Sequence, residues 1–153
     1  MIDMREESIK ALRAVPIIAR ALTDGRDDAA LRRRPAPGEW AASEVVAHMA
    51  DTDERALARI RRMRDEDEPV LAAFDQEALA VERDYIALPL GPTLRRLEDT
   101  IAALVAALGG LDDADWRRAG RHEAHGRVTI ADYLAHVAAE DVDHLAQIAR
   151  VLN

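Results

Sequence analysis

Four separate stretches of this chain carry apolar residues at intervals of three and four, and that period limits it to a fold of packed helices. The first runs from about Glu6 to Leu22, with Ile9, Leu12, Val15, Ala19 and Leu22 on one face. Pro16 lies inside it and is expected to kink or split it, because proline lacks an N–H and crowds the preceding turn. The second spans Glu44 to about Arg64, with Ser43 as its expected N-cap and Val45, Met49, Thr52, Ala56, Ile60 and Met63 as its inner stripe. The third opens at Gly91-Pro92-Thr93, presents Leu94, Leu97, Ile101, Leu104, Val105 and Leu108, and stops at Gly109-Gly110. The last starts at Thr129, which stands at capping-box spacing from Asp132, and continues to about Leu152. Pro69 and Pro89 bracket a shorter helix near Asp75 to Tyr85, while Thr23 to Ala42 and Leu111 to Val128 read as two long loops. The expected fold is all-α, a four-helix bundle with a short extra helix, in one domain over residues 1–153.

Composition narrows the function classes. The net charge of -8 opposes a phosphate backbone, so nucleic acid is not an expected partner. No apolar run reaches the roughly 18 residues needed to span a bilayer, and the N-terminus is charged from Asp3 onward. These features predict a cytoplasmic protein without a membrane partner. Without Cys, the chain has no disulfide framework and no thiolate of its own.

Five histidines are the candidates for chemistry: His48, His122, His125, His136 and His144. In the last helix His136, Glu140 and His144 follow one another at intervals of four, which puts neighbours about 6 Å apart along the axis on one side. Two such side chains can hold one ion. The inner stripe of this helix (Ile130, Leu134, Val137, Leu145, Ile148, Leu152) is interrupted by a carboxylate, Asp141. At about 100° per residue, His144 lies roughly 60° from the stripe centre, Glu140 roughly 100° and His136 roughly 140°. His144 therefore leans inward, Glu140 sits on the flank and His136 faces outward. In the second helix His48 lies roughly 70° off its stripe. A solvated or hydrogen-bonded His at a helix edge is the commoner situation, and spacing alone does not select His48 as a partner for the last helix. His122 and His125, on the loop before that helix, are either solvated or placed to touch a substrate. Trp40 and Trp116 read as packing anchors.

The segment Pro37 to Glu54, PGEWAASEVVAHMADTDE, resembles the P-x-x-W-S-x-x-E-v-l-x-H-l-x-d-x-E pattern of the DinB/YfiT-like superfamily of metalloenzymes. Ala41 stands where that pattern often has Ser, and the closing acid comes one place late, at Glu54. Gly126 to Ile148, GRVTIADYLAHVAAEDVDHLAQI, resembles the family's closing helix, and Leu111 to Trp116 fits its loop. The resemblance covers nearly the whole chain. It implies a four-helix bundle, often a homodimer, with one metal-ligating His on the second long helix and two four apart on the last. Carried over, these positions are His48, Glu140 and His144, with Glu140 where the family usually has His.

Two imidazoles and a carboxylate suit zinc, nickel, manganese or iron. Such an ion lowers the pKa of bound water or a thiol and polarises a carbonyl. The resemblance implies a small-molecule transferase or hydrolase, and any thiol has to come from a low-molecular-weight cosubstrate. Asp51, one turn after His48, and Asp141 are the candidate carboxylates for a base or for orienting ligands. An ion pair between Asp141 and one of the chain's 20 arginines is the alternative. The competing functional reading is a metal-free bundle acting as a ligand-binding or dimeric interaction module.

Overall fold

The computed structural model describes residues 1–153 and contains seven helices and three short strands. The four long helices are α1 (Met4–Thr23), α3 (Ala42–Asp65), α5 (Leu90–Gly109) and α7 (Ile130–Leu152). Between them lie α2 (Asp28–Leu31), α4 (Gln76–Glu82), a 3-10 turn at Tyr85–Ala87 and α6 (Asp113–Trp116). The strands are β1 (Val70–Leu71), β2 (Ala119–His122) and β3 (Gly126–Thr129).

Local chemistry sets the helix ends. Asp3 caps α1, its carboxylate accepting from the Arg5 N–H at 2.9 Å. The helix then runs unbroken through Pro16, which lies inside it. At α3 the expected cap shifts by two residues. Ala41 takes the N-cap position, and Glu44 Oε2 accepts from its N–H at 2.9 Å, while Ser43 falls within the first turn. The Glu44 carboxylate also takes a two-pronged hydrogen bond from Arg34, at 2.9 and 2.6 Å. The α7 N-cap is Thr129 as expected, its hydroxyl accepting from the Asp132 N–H at 3.1 Å.

The long helices close a ring in which α3 packs on α5 and α7, and α1 packs on the same two. Helices consecutive among these four, α1 with α3 and α5 with α7, therefore face each other across diagonals. Leu12, Met49, Ile60, Leu97, Leu104, Leu134 and Ile148 meet in one apolar core. Residues 41–51 of α3 and its cap are buried without interruption, so this half of the helix has no solvent face.

Both expected loops contain structure. The first holds α2, and the second holds α6 and the β2–β3 hairpin. β1 pairs parallel to β2, and β2 pairs antiparallel to β3. Gly126, with φ +73, supplies the left-handed residue that the hairpin turn requires. The sheet lies over one end of α3. A Cβ at Gly120 would come within 2.8 Å of Leu71 Cδ1 and 3.1 Å of Met63 Cγ, both on fully buried side chains. None of the helices is long and apolar enough to cross a membrane.

Gly120→Ala is therefore expected to lower stability by about 1–3 kcal/mol through overpacking. Thermal unfolding will show this as a fall of roughly 2–4 °C per kcal/mol. Glu44 offers a pH test. Burial alone would raise its pKa, but the Arg34 guanidinium and the Ala41 N–H outweigh burial and hold the carboxyl below its ordinary value. A group depressed in the folded state stabilises above its unfolded pKa, about 4.3, and loses that contribution as pH falls through the folded value. Glu44→Gln should cost about 1–2 kcal/mol at pH 7 and flatten the loss of stability below about pH 4.3, as read by denaturant midpoints across pH.

Candidate active site

The buried half of α3 carries His48, only 2% exposed, and the facing stretch of α7 carries half-buried His144. Their Nε2 atoms lie 3.1 Å apart. On the far side of His144, Nδ1 is 3.1 Å from Gln147 Oε1. With that Nδ1–H donating to the amide oxygen, His144 Nε2 presents its lone pair toward His48. The Trp40 ring packs against the His48 ring with centroids 4.8 Å apart. His48 Nδ1 is buried with no hydrogen-bond partner. Burial first, and then the neighbouring His144, push the His48 pKa down to about 4 despite the opposing influence of Asp51. The ring is therefore neutral at pH 7, which is the form that ligates metals.

Glu140, one turn before His144, is exposed and lines the same narrow cavity, whose volume is about 140 Å³. Its carboxylate has no hydrogen-bond partner. The side chains bring His48 and His144 into direct contact and Glu140 to the cavity wall, but no three His, Asp or Glu donors converge at ion-holding distance. The donor set nonetheless fits a cation. Two ligands at about 2.0–2.1 Å on a tetrahedral ion stand roughly 3.3 Å apart, close to the observed separation of the two nitrogens. An amide oxygen behind one ligand's Nδ1 is the usual support for a metal-bound imidazole.

The two candidate carboxylates occupy different environments. Asp51 points toward α4 and α5, away from the histidines. Its carboxylate accepts from Arg83 at 3.0 Å, from Arg96, and from the Tyr85 hydroxyl. Asp141 is 2% exposed and no guanidinium reaches it. Its neighbour is Asp53, 0% exposed, on α3. Burial raises both pKa values, and the two carboxyls acting on one another raise Asp53 further. The pair holds a proton at neutral pH, since two such charges cannot both persist without a countercharge.

Sequence reasoning missed Asp53, although its signal was present. Met49, Asp53, Ala56 and Ile60 are spaced by four, three and four, so the carboxylate falls on the inner stripe just as Asp141 does in α7. The hairpin and α7 add three clustered imidazoles. His125 lies 4.7 Å from His122 and 5.5 Å from His136 between ring centroids, and His122 and His136 line the cavity.

The ring of four helices, with paired histidines set between its second and last long members, defines a class of helical bundle built around an interhelical site. The family profile of the DinB superfamily matches residues 11–148, and the chain belongs to that superfamily. A Geobacillus kaustophilus protein named "Putative metal-dependent hydrolase GK0616" is 31% identical over 145 residues, covering 94% of this chain and 82% of its own length. Among solved structures, YfiT from Bacillus subtilis is described as "a probable metal-dependent hydrolase with an unusual four-helix bundle topology". It superposes with a TM-score of 0.89 at 22% identity, over 96% of this chain and 85% of that one. TT2238, described as a four-helix bundle protein, gives a TM-score of 0.71 at 22% identity, over 95% of this chain and 98% of that one. These two likenesses establish the shared fold.

The Asp51 cluster can be tested separately from the histidines. Asp51→Asn leaves Arg83 and Arg96 without their shared carboxylate. It should destabilise the protein by about 1–3 kcal/mol, a range set by the partial exposure of both arginines, as read by chemical denaturation.

Proposed function

We propose that this protein is a metal-dependent hydrolase of a small molecule, with a divalent ion held by His48, His144 and Glu140. The observation that carries this reading is the pair of imidazole nitrogens 3.1 Å apart in a cleft that an unpartnered carboxylate also lines. The relatives named as metal-dependent hydrolases point the same way. When bound, such an ion activates water and polarises a carbonyl.

The chain's own residues do the rest. Gln147 fixes the His144 tautomer, so its lone pair stays aimed into the cleft. Trp40 covers His48 and keeps water from that side. Asp141 and Asp53, whose pKa values burial raises, line the same cavity, where a protonated carboxyl can donate to a leaving group and a carboxylate can accept from water. Asp51, saturated by its three donors, positions α3 against α5 rather than taking a proton.

Transfer to a thiol is the variant of this chemistry that needs a cosubstrate, because the chain has no Cys. The metal-free alternative draws on the direct His48–His144 contact and on the lack of a third converging donor.

Elemental analysis of protein purified without chelator separates the two readings. About one ion per chain is expected for the wild type, with near-total loss in His48→Ala and a marked loss in Glu140→Gln. The wild type alone should gain about 2.7 kcal/mol of stability at a hundredfold excess of metal over Kd. Metal content unaffected by His48→Ala, or the absence of any melting shift with zinc, nickel, manganese or iron, would leave the bundle as a metal-free module.

A further inference from the structure

The cavity between α3 and α7 has two chemically different ends. His48 and His144 meet at one, and Arg59 and Tyr133 meet at the other. Eleven residues separate the members of each pair along their own helix, so the two ends lie roughly 16 Å apart along antiparallel axes. Asp53 and Asp141 occupy the stretch between.

Arg59 is the one buried arginine of the chain, 8% exposed, and it lines the cavity. In a chain with 29 acidic and 21 basic residues, a buried guanidinium would be expected to have a carboxylate partner. Arg59 has none. Nη1 donates to the Tyr133 hydroxyl at 3.2 Å and Nη2 donates to the Ala72 carbonyl. Two of its five N–H groups are thus used, both on neutral acceptors. The elevated pKa values of Asp53 and Asp141 arise from burial and from acidic neighbours, with no contribution from Arg59.

The imidazoles at the rim add polar groups to the same end. The His122 pKa is pushed below its ordinary value, by burial first and then by Arg59, His125 and His136, against the smaller opposing influence of Glu123. Arg59 is therefore the fixed positive charge at this mouth of the cavity, and His122 stands beside it as a hydrogen-bonding group whose Nδ1 accepts from the Ala124 N–H at 3.1 Å.

We propose that the Arg59 end of this cavity binds an oxyanion, the carboxylate or phosphate terminus of an extended small-molecule substrate, with His122 and His136 at its lip. A planar guanidinium with free N–H groups in a site shielded from water is the usual receptor for such a group. The inference deepens the proposed hydrolase reading by naming its substrate class, an acid whose charged terminus lies far from its reactive bond. The anion site itself does not require the metal.

The test uses metal-free, isotopically labelled full-length protein at pH 6.5, titrated with inorganic phosphate and separately with glutarate at constant ionic strength. The signals followed are the ring resonances of His122 and His136 and the Arg59 Nε–H. Saturable shifts are expected with at least one probe. Phosphate alone, glutarate alone or both would support the site and identify its preferred oxyanion. Arg59→Gln should weaken binding about tenfold or more, and His122→Gln about threefold, which keeps the test decisive if the first variant fails to fold. His48→Ala should leave the affinity unchanged, so that loss of the metal reading and loss of the anion reading give different results. Shifts that merely follow ionic strength, equal affinity in Arg59→Gln or, should that variant not fold, in His122→Gln, or binding abolished by His48→Ala would overturn the proposal.

Discussion

A helix segment buried on every side cannot leave its charged residues to solvent, and the first half of α3 is such a segment. Its sequence nevertheless places Glu44, His48, Asp51 and Asp53 within three turns. Each needs a partner from another element, and those partners fix how the chain wraps around α3. Arg34 comes from the segment after α2, Arg83 and Tyr85 from the region after α4, Arg96 from α5, and His144 and Asp141 from α7. Removing one member of such a pair leaves the other buried and uncompensated, at a cost that the partial exposure of the arginines reduces. That penalty ties the surrounding elements to α3 more specifically than apolar contact can.

The four groups divide by the partner each finds. Glu44 and Asp51 are neutralised by arginine, and such pairs hold structure. His48 and Asp53 face only another imidazole and another carboxyl, so neither has a countercharge. Burial then favours the neutral forms, and imidazole lone pairs and carboxyl groups stay concentrated in one cleft. An arrangement that contributes little to stability and keeps titratable groups dry is more readily explained by chemistry than by folding.

Much of this was legible in the sequence, and the reasons for the rest are physical. The α7 stripe correctly placed Asp141 inside, His144 at the edge and His136 outside, since a regular helix fixes bearings from numbering alone, while Glu140, expected on the flank, is exposed. The identity of the partner was not legible. Asp141 meets Asp53 rather than an arginine, because periodicity gives the face of a helix but not what lies across from it. The diagonal order of the bundle is hidden for the same reason. His48 was singled out only through resemblance to the DinB pattern, as spacing cannot connect residues 96 positions apart. The sheet escaped notice because a two-residue β1 and the sequence Ala-Gly-Arg-His of β2 carry no alternating pattern. Ser43 lost the N-cap to Ala41 because Glu44, held by Arg34, caps the helix from inside.

Glu140 changes what the site can hold. A third imidazole would be neutral, whereas a carboxylate offsets part of a divalent charge and favours harder ions. Its side chain is exposed and without partners, so swinging it toward the histidines breaks no existing bond. The cation meets little proton competition at His48 near neutral pH, because burial pushes its pKa down to about 4. The acidity of the whole chain has the opposite effect on substrates. With a net charge of -8, the surface attracts cations and repels anions. An anionic substrate therefore needs a local reversal of sign to enter, and the reversal lies at the Arg59 guanidinium, which no carboxylate neutralises. Arg59 on α3 thus supplies, at one end of the cleft, the charge that the surface as a whole lacks, and the hairpin sets the His122 ring beside it.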